Sequence, residues 1–218
     1  MKMMMNLFST FDPSTGMMSM NWVSIMTFIL LPSKFWSSSN NILILIKILT
    51  IKMSKESESM TKIKGMSMIT NSMFLMIMLI NLMGLLPYVF TSSSHLTFSL
   101  SMSMPIWMSL MIYGWMFKTK SMLKHLVPMS TPSMLMPFMV MIETISNMIR
   151  PSSLAIRLTA NMIAGHVLMS LLGDSTKSML KMSMMMIMYM SLMMFESAVA
   201  IIQSYVFMTL SNLYSSEI

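Results

Sequence analysis

Long apolar stretches alternate with short polar segments along the whole chain. Residues 13–33 carry no charge, and residues 65–117 carry none beyond His95. Pro87 and the polar cluster at residues 91–94 divide the second stretch into two parts. Because a membrane-crossing helix needs roughly 20 mostly apolar residues, each part is long enough to cross. The first half of the chain therefore predicts three crossings, at residues 17–31, 66–86 and 96–117.

The second half of the chain holds two longer apolar segments. They occupy residues 137–172 and 178–213, with a turn at residues 173–175 between them. About 36 residues form a helix of about 54 Å at 1.5 Å per residue, which exceeds the ~30 Å hydrocarbon core of a bilayer. The two segments therefore predict a long, strongly tilted helical hairpin, with Pro151 as a kink site in its first helix.

Residues 41–60 combine an apolar start with a charged end. The run 42–46 contains only Ile and Leu, whereas the residues after it include Lys47 and Glu56. This segment is too charged to cross a bilayer, and its pattern is typical of an amphipathic helix in the membrane interface. The sequence therefore predicts an all-α polytopic membrane protein, in which five crossings and one interfacial helix form a single domain over residues 1–218.

The composition excludes several classes of protein. Hydrophobic residues make up 55% of the chain and charged residues 10%, whereas charged residues make up about 25% of an average soluble domain. A disordered chain needs fewer apolar residues than this. The absence of Cys excludes a disulfide scaffold and a Cys-based metal site. We therefore expect a membrane protein and not an ordinary soluble enzyme.

Membrane orientation explains the net charge of +7. If the first crossing ends on the inner side, nine Lys residues lie there: Lys34, Lys47, Lys52, Lys55, Lys62, Lys64, Lys118, Lys120 and Lys124. The outer side receives charges that nearly cancel, Asp12 among them. Because an excess of Lys marks the inner side, the C-terminus is expected inside. Nucleic-acid binding is the weaker explanation, since the Lys residues lie between apolar segments.

Ionisable side chains are rare inside the predicted hairpin. They are Glu143, Arg157, His166 and Glu196, accompanied by the amides Asn161 and Gln203. Such groups are costly to place in a bilayer and usually mark ion or proton pathways. His166 alone is about equally compatible with a hydrogen bond between packed helices, whereas amides such as Asn161 and Gln203 more often serve helix packing than chemistry. Arg157 is harder to explain by packing, because it lies deep within the long helix.

Helical spacing places Arg157 on a surface of small and polar residues. Arg157 and Asn161 share one face, one turn apart, and Gly165 continues that face. Ala160 and Ala164 flank it. Since small residues allow close packing between membrane helices, we expect a partner helix to pass along this face.

Depth in the membrane separates the acid–base groups into two sets. The antiparallel hairpin places His166 and Glu196 toward the outer side. It places Glu143 and Glu217 toward the inner side, with Arg157 between the two sets. This order is what a proton path in two halves requires. Neither half crosses the membrane alone, so a mobile carboxylate on a partner would have to carry the proton past Arg157.

Residues 153–173, with the sequence SLAIRLTANMIAGHVLMSLLG, closely resemble the signature of subunit a of the F-type ATP synthase in its mitochondrial form. Supporting segments are NLMGLLPYVF at 81–90, HLVPMSTPSMLMPFMVMIETIS at 125–146, FESAVAIIQSYVF at 195–207 and NLFSTFDP at 6–13. The central stretch is highly specific to that family. The predicted interfacial helix is also similar to the family's layout.

The resemblance implies a central role for Arg157. Arg157 matches the essential arginine of the family, which faces a ring of c subunits. It would attract each ring carboxylate, promote its deprotonation and block direct proton leakage between two half-channels. Asn161 and Gln203 match polar residues near that arginine.

The resemblance also implies two half-channels. His166 and Glu196 match the half-channel that opens to the intermembrane space. Glu143 matches an acidic residue of the matrix half-channel, and Glu217 lies where the family often has an acidic residue near the C-terminus. Arg150 matches no feature of the family and receives no role.

As a whole, the resemblance implies a proton-translocating stator subunit of the Fo sector, which couples proton flow to rotation and to ATP synthesis in a separate soluble head. The implied partners are the c-ring, the peripheral stalk, other Fo membrane subunits and the lipid bilayer. No catalytic residue, cofactor or metal is implied for this chain. The sequence has no P-loop GxxxxGK(S/T), so we expect it to bind no nucleotide, and we expect no nucleic-acid partner.

The 40 Met residues indicate the genome and the compartment. Animal mitochondrial codes read one Ile codon as Met, and many invertebrate codes read two Arg codons as Ser. Under strong A+T bias, Met then replaces Ile at many positions, which an apolar and adaptable side chain tolerates. We therefore expect a chain of the mitochondrial inner membrane, encoded in the mitochondrion of an invertebrate animal.

Two other classes of protein compete with this interpretation. One is a proton-pumping multi-pass subunit of a respiratory complex or an antiporter. Such proteins tend to hold Lys inside their crossings, whereas no Lys lies near the centre of a crossing predicted for this chain. The other is a structural membrane protein in which the polar residues only pack helices together. The depth order of Glu143, Arg157 and Glu196 disfavours it.

Overall fold

The computed structural model describes residues 10–14, 19–30, 40–61, 63, 65–86, 89–127, 132, 134–174 and 179–217. Throughout these ranges the chain forms helices and connecting segments without a strand. The all-α fold predicted from the sequence is therefore confirmed.

Six α-helices and two short 3₁₀ helices make up the described fold. The 3₁₀ helices are Met20–Leu30 and Ser92–Ser94. The α-helices are α1 (Asn41–Met60), α2 (Met66–Gly84), α3 (Leu96–Phe117), α4 (Thr119–Leu126), α5 (Met136–Asp174) and α6 (Met179–Glu217).

Four of these helices are long and apolar enough to cross a membrane: α2, α3, α5 and α6. The chain is a multi-pass membrane protein. The fifth predicted crossing, at 17–31, is described only as the 11-residue 3₁₀ helix Met20–Leu30. Its flanking residues 17, 18 and 31 lie outside the described residues. That crossing, like the interfacial position of α1, stays a prediction.

The turn predicted at residues 173–175 begins later than expected, since Gly173 and Asp174 belong to α5 and residue 175 lies outside the described residues. Helices α5 and α6 contain 39 residues each and pack against each other as a hairpin, whose tilt stays a prediction. At 1.5 Å per residue each is about 58 Å long. Helix α5 continues through Pro151. The short helix α4 was not predicted, because the sequence there indicates only a polar loop.

The core lies where α2 and α3 pack against the hairpin. It contains Ile77 of α2, Leu110 of α3, Leu158 of α5 and Phe207 of α6, all of them almost inaccessible to solvent. The opposite side of the hairpin is exposed and apolar, with Ile156 54% exposed. Burial therefore fixes which face of α5 turns inward and which remains uncovered.

Helix α1 is anchored to α2 and α6 by two polar contacts. The Asn71 side-chain amide donates a hydrogen bond to the Thr50 carbonyl oxygen at 3.3 Å. The Tyr205 hydroxyl donates one to the Glu56 carboxylate at 3.4 Å. Gly65 precedes α2 with a φ of 89°, a left-handed conformation that glycine adopts without a steric penalty. The chain can therefore reverse there and lay α1 against α2.

Candidate functional site

Arg157 lies on the uncovered face of α5, near the middle of the helix. Its neighbours Ala155 and Leu158 are 0% and 1% exposed and face the core, whereas Arg157 is exposed. Among the described residues it makes no hydrogen bond or ion pair. A guanidinium placed in this way can act on a group from outside the chain.

One turn further along, a hydrogen bond joins the two helices of the hairpin. The Asn161 side-chain amide donates to the Gln203 side-chain oxygen at 2.9 Å, and Gln203 is 6% exposed. Hydrogen bonds between membrane helices contribute about 0.6 kcal/mol on average. This one sets the register of α5 against α6 next to Arg157.

The Glu196 carboxylate of α6 lies directly against Gly165 of α5. A Cβ atom added to Gly165 would overlap both the carboxylate carbon and its oxygens. Glu196 is 6% exposed, so the contact buries it between the helices.

The expectation that Gly165 continues the face of Arg157 is wrong. Gly165 is buried against α6, whereas Arg157 is exposed. Eight residues turn a helix by about 800°, so Gly165 is rotated by about 80° from Arg157. Ala160 and Ala164, both exposed, remain as the small residues beside Arg157.

An outer cavity of about 410 Å³ lies at the C-terminal end of α5, where α2 ends and the N-terminal segment packs. His166 lines it, and the buried Nε2 atom of His166 has no hydrogen-bond partner among the described residues. The ring of Phe11 contacts the His166 ring edge-on, with 6.2 Å between centroids. Since buried polar atoms rarely lack a partner, a water molecule or a proton donor in this cavity would satisfy Nε2.

Asp12 lines the same outer cavity, a position that its sequence context does not reveal. Its carboxylate accepts hydrogen bonds from the backbone N–H of Ser14 at 3.0 Å and from the Ser14 hydroxyl at 2.8 Å. These bonds, the backbone one first, lower the pKa of Asp12 below its ordinary value of 3.8. Asp12 therefore contributes a fixed negative charge near His166 at neutral pH.

An inner cavity of about 510 Å³ lies toward the opposite end of α5. Helices α3 and α4 supply apolar walls, including Trp107 and Trp115. The charged lining comes from Glu143, Arg150 and Glu217. The structure thus brings together the two acidic residues that the sequence placed on the inner side.

Arg150 joins those two carboxylates. Its Nη1 donates to the Glu217 carboxylate, and its Nη2 lies 3.8 Å from the Glu143 carboxylate. Its guanidinium carbon also lies 5.4 Å from the centre of the Tyr214 ring, a cation–π distance. Sequence reasoning gave Arg150 no role. Its spacing of seven residues from both Glu143 and Arg157 nevertheless places these three side chains in one row along α5.

The site residues therefore form three groups along the hairpin. Glu143 and Glu217 lie at the inner cavity. His166 lies at the outer cavity, and Glu196 contacts Gly165, the residue that precedes His166. Arg157 lies between the two cavities. From Arg157 the helix rises about 21 Å to Glu143 and about 14 Å to His166. No cluster of three or more His, Cys, Asp or Glu residues fit to hold a metal occurs in the part of the chain that the structure describes.

Comparison with known proteins settles the family. A family model described as the ATP synthase A chain matches residues 15–216. The chain belongs to the ATP synthase A chain family. The resemblance seen in the sequence is confirmed.

Insect relatives cover the whole chain. ATP synthase subunit a of Aedes albopictus is 51% identical over 227 residues, which span 99% of this chain and all of the relative. The subunits of Locusta migratoria and Drosophila melanogaster are each 48% identical over a similar span, again 99% of this chain and all of each relative.

Proposed function

We propose that this chain is the proton-translocating stator subunit of a mitochondrial Fo sector and is not itself an enzyme. One observation carries the proposal. Two cavities with ionisable linings lie at opposite ends of α5, and Arg157 stands between them on the uncovered face. A proton path in two halves needs a positive charge that keeps the halves separate. Membership of the ATP synthase A chain family supports assigning this path to an ATP synthase.

Protons enter through the outer cavity from the intermembrane space. His166 offers a ring nitrogen there that has no hydrogen-bond partner among the described residues, and Glu196 of the neighbouring helix lies against Gly165, the residue before His166. Both groups exchange protons readily in water-accessible sites. They hand the proton to a carboxylate of the c-ring, which is neutralised and rotates away through lipid.

Arg157 receives the ring carboxylate after it has lost its proton. An opposite charge within about 4–6 Å favours the ionised form of a carboxyl group, so Arg157 promotes release and holds the charged site until it is reloaded. Its own positive charge repels a proton that moves directly between the cavities. The two halves are therefore connected only through the ring.

Protons leave through the inner cavity. Glu143 and Glu217 accept the proton released by the ring and pass it to the matrix. The transmembrane potential contributes about 2.3 kcal/mol per charge per 100 mV. Rotation of the ring drives ATP synthesis in the separate soluble head.

The uncovered face of the hairpin binds the c-ring. Ile156 of α5 and Ile202 of α6 are 54% and 60% exposed on the hairpin surface, and a large exposed apolar surface needs lipid or protein around it. The peripheral stalk and other Fo membrane subunits contact the remaining helices, and lipid covers what is left.

Replacing Arg157 with Ala in the assembled complex tests the proposal. We expect ATP synthesis and ATP-driven proton pumping to be abolished, while ATP hydrolysis by the detached head continues. Lys124→Gln removes a positive charge from α4 outside both sets of site residues and serves as the control. Normal ATP synthesis in Arg157→Ala would overturn the assignment.

A further inference from the structure

Arg150 is one of only two Arg residues in the chain, and the mechanism above does not use it. It lies on α5 between Glu143 and Arg157, seven residues from each. Seven residues turn a helix by about 700°, which is 20° short of two full turns. The three side chains therefore follow one line along α5, about 10 Å apart, and a proton that passes from the level of Arg157 to Glu143 passes Arg150.

The guanidinium of Arg150 connects the two helices of the hairpin across the inner cavity. It pairs with Glu143 on its own helix and with Glu217 at the last residue of α6. The side chains of Arg150, Glu143 and Glu217 are 26%, 38% and 52% exposed. All three groups therefore reach the cavity and its solvent.

No other cation competes for these carboxylates in the described part of the chain. The ionisable groups described on the surrounding elements are Tyr113 of α3, Lys118 before α4, Lys120 and Lys124 of α4, and Tyr214 of α6. Among the described residues, only Arg150 forms an ion pair with Glu143 or Glu217. Tyr214 packs against its guanidinium and limits how far that group can turn.

We infer that Arg150 is a positioning residue of the inner cavity, which holds Glu143 and Glu217 side by side as one proton-accepting pair. The inference rests on the proposed function. Without the guanidinium, the two carboxylates repel each other. Glu217 is half-exposed at a helix end and then turns toward solvent. The proton released by the ring would meet one acceptor in place of two, in a less fixed position.

Arg150→Gln and Arg150→Lys, made in the assembled ATP synthase and reconstituted in liposomes, test this role. Because misplaced reacting groups can cost one to two orders of magnitude in rate, we expect Arg150→Gln to lower ATP-driven proton pumping roughly tenfold. Arg150→Lys keeps the charge and should stay within about twofold of the natural protein by the same argument. Lys124→Gln is the charge control and should not change the rate.

A second set of variants separates positioning from a general structural role. In a background of Glu143→Gln with Glu217→Gln, Arg150 has no carboxylates to hold, so Arg150→Gln should cause no further loss of pumping. Groups that act through one another show this non-additivity. An equal tenfold loss in both backgrounds, or failure of Arg150→Lys to rescue, would overturn the inference. The amount of assembled complex, measured for each variant, normalises the rates.

The same variants separate the inference from the proposed function. If Glu143→Gln with Glu217→Gln slows pumping but Arg150→Gln does not, the inner half-channel stands and the inference fails. If Glu143→Gln with Glu217→Gln pumps at the natural rate, the inner half-channel and the role of Arg150 fail together.

Discussion

At the scale of single residues, Gly165 has the clearest steric requirement in the site. The Glu196 carboxylate occupies the space where any other residue would place its Cβ atom. Gly165 is therefore required by the position of Glu196 and not by backbone conformation, since α5 is an ordinary helix there. Glycine in a helix interior lowers stability by roughly 0.5–1 kcal/mol relative to Ala. In return, the missing Cβ atom leaves room for the Glu196 carboxylate.

Gly165→Ala should therefore impair proton entry. The new methyl group displaces the Glu196 carboxylate from between the helices, and we expect ATP synthesis to fall by roughly tenfold, as for other misplaced groups. Gly173→Ala is the matched control, because a Cβ at Gly173 would meet no atom within 4 Å among the described residues. Rates in inverted membrane vesicles, normalised to the assembled complex, give the comparison. Equal rates for the two variants would show that Glu196 tolerates displacement.

At the scale of elements, the sequence predicted helix bounds best where polar or charged residues flank an apolar segment at both ends. The bounds of α3, Leu96–Phe117, coincide with the expected crossing, because His95 and Lys118 flank an uninterrupted apolar segment. Helix α4 was missed, since it has only eight residues and lies between Lys118 and the proline-containing segment that begins at Pro128, a context typical of a loop. Gly165 was misplaced because a spacing of eight residues turns the helix about 80° beyond two full turns, and only the packing against α6 shows which face Gly165 occupies.

The site residues likewise divide into those that the sequence reveals and those that only the packing of the helices reveals. Sequence reasoning found the acidic residues and Arg157, because ionisable groups are conspicuous in apolar segments. It gave no role to Arg150, because ion pairing between residues 67 positions apart depends on the register of α5 against α6. Asp12 was counted only as an outer charge, because its approach to His166 depends on how the N-terminal segment folds back.

The register of the hairpin can be tested with paired cysteines, because the chain has no Cys of its own. We expect Asn161→Cys with Gln203→Cys to oxidise to a disulfide faster than a pair on unlike faces, since Asn161 and Gln203 face each other across α5 and α6 and share a hydrogen bond. Asn161→Cys with Ile202→Cys is the control, because Ile202 is 60% exposed and points away. Electrophoresis after cleavage of the chain between α5 and α6 reports the cross-link. Faster oxidation of the control pair would contradict the register.

At the scale of the whole molecule, the hairpin has one covered and one uncovered side. Helices α2 and α3 pack on the first side and leave the second uncovered. Adjacent residues of α5 differ sharply in consequence, since Ala155 is 0% exposed and Ile156 is 54% exposed. The proposed function therefore places the c-ring on the uncovered side, next to Arg157.

Single cysteines at these two positions should distinguish the sides. In the assembled complex, Ile156→Cys should cross-link to a cysteine placed near the ring carboxylate, and Ala155→Cys should not. Both variants should retain the helical fold, because each replaces a small or medium apolar residue by Cys. Immunoblots for the cross-linked product give the readout. Cross-linking from Ala155→Cys alone would place the ring on the opposite side of α5.

The two cavities also determine how the membrane voltage acts on Arg157. Where they fill with water, each carries the electrical potential of its own side toward the centre of the protein. The voltage then falls mainly between Arg150 and His166, sixteen residues or about 24 Å apart along α5, and not across the ~30 Å of a plain hydrocarbon layer. The same voltage over the shorter distance gives a stronger electric field at Arg157, which under the proposed function is where the ring carboxylate is charged.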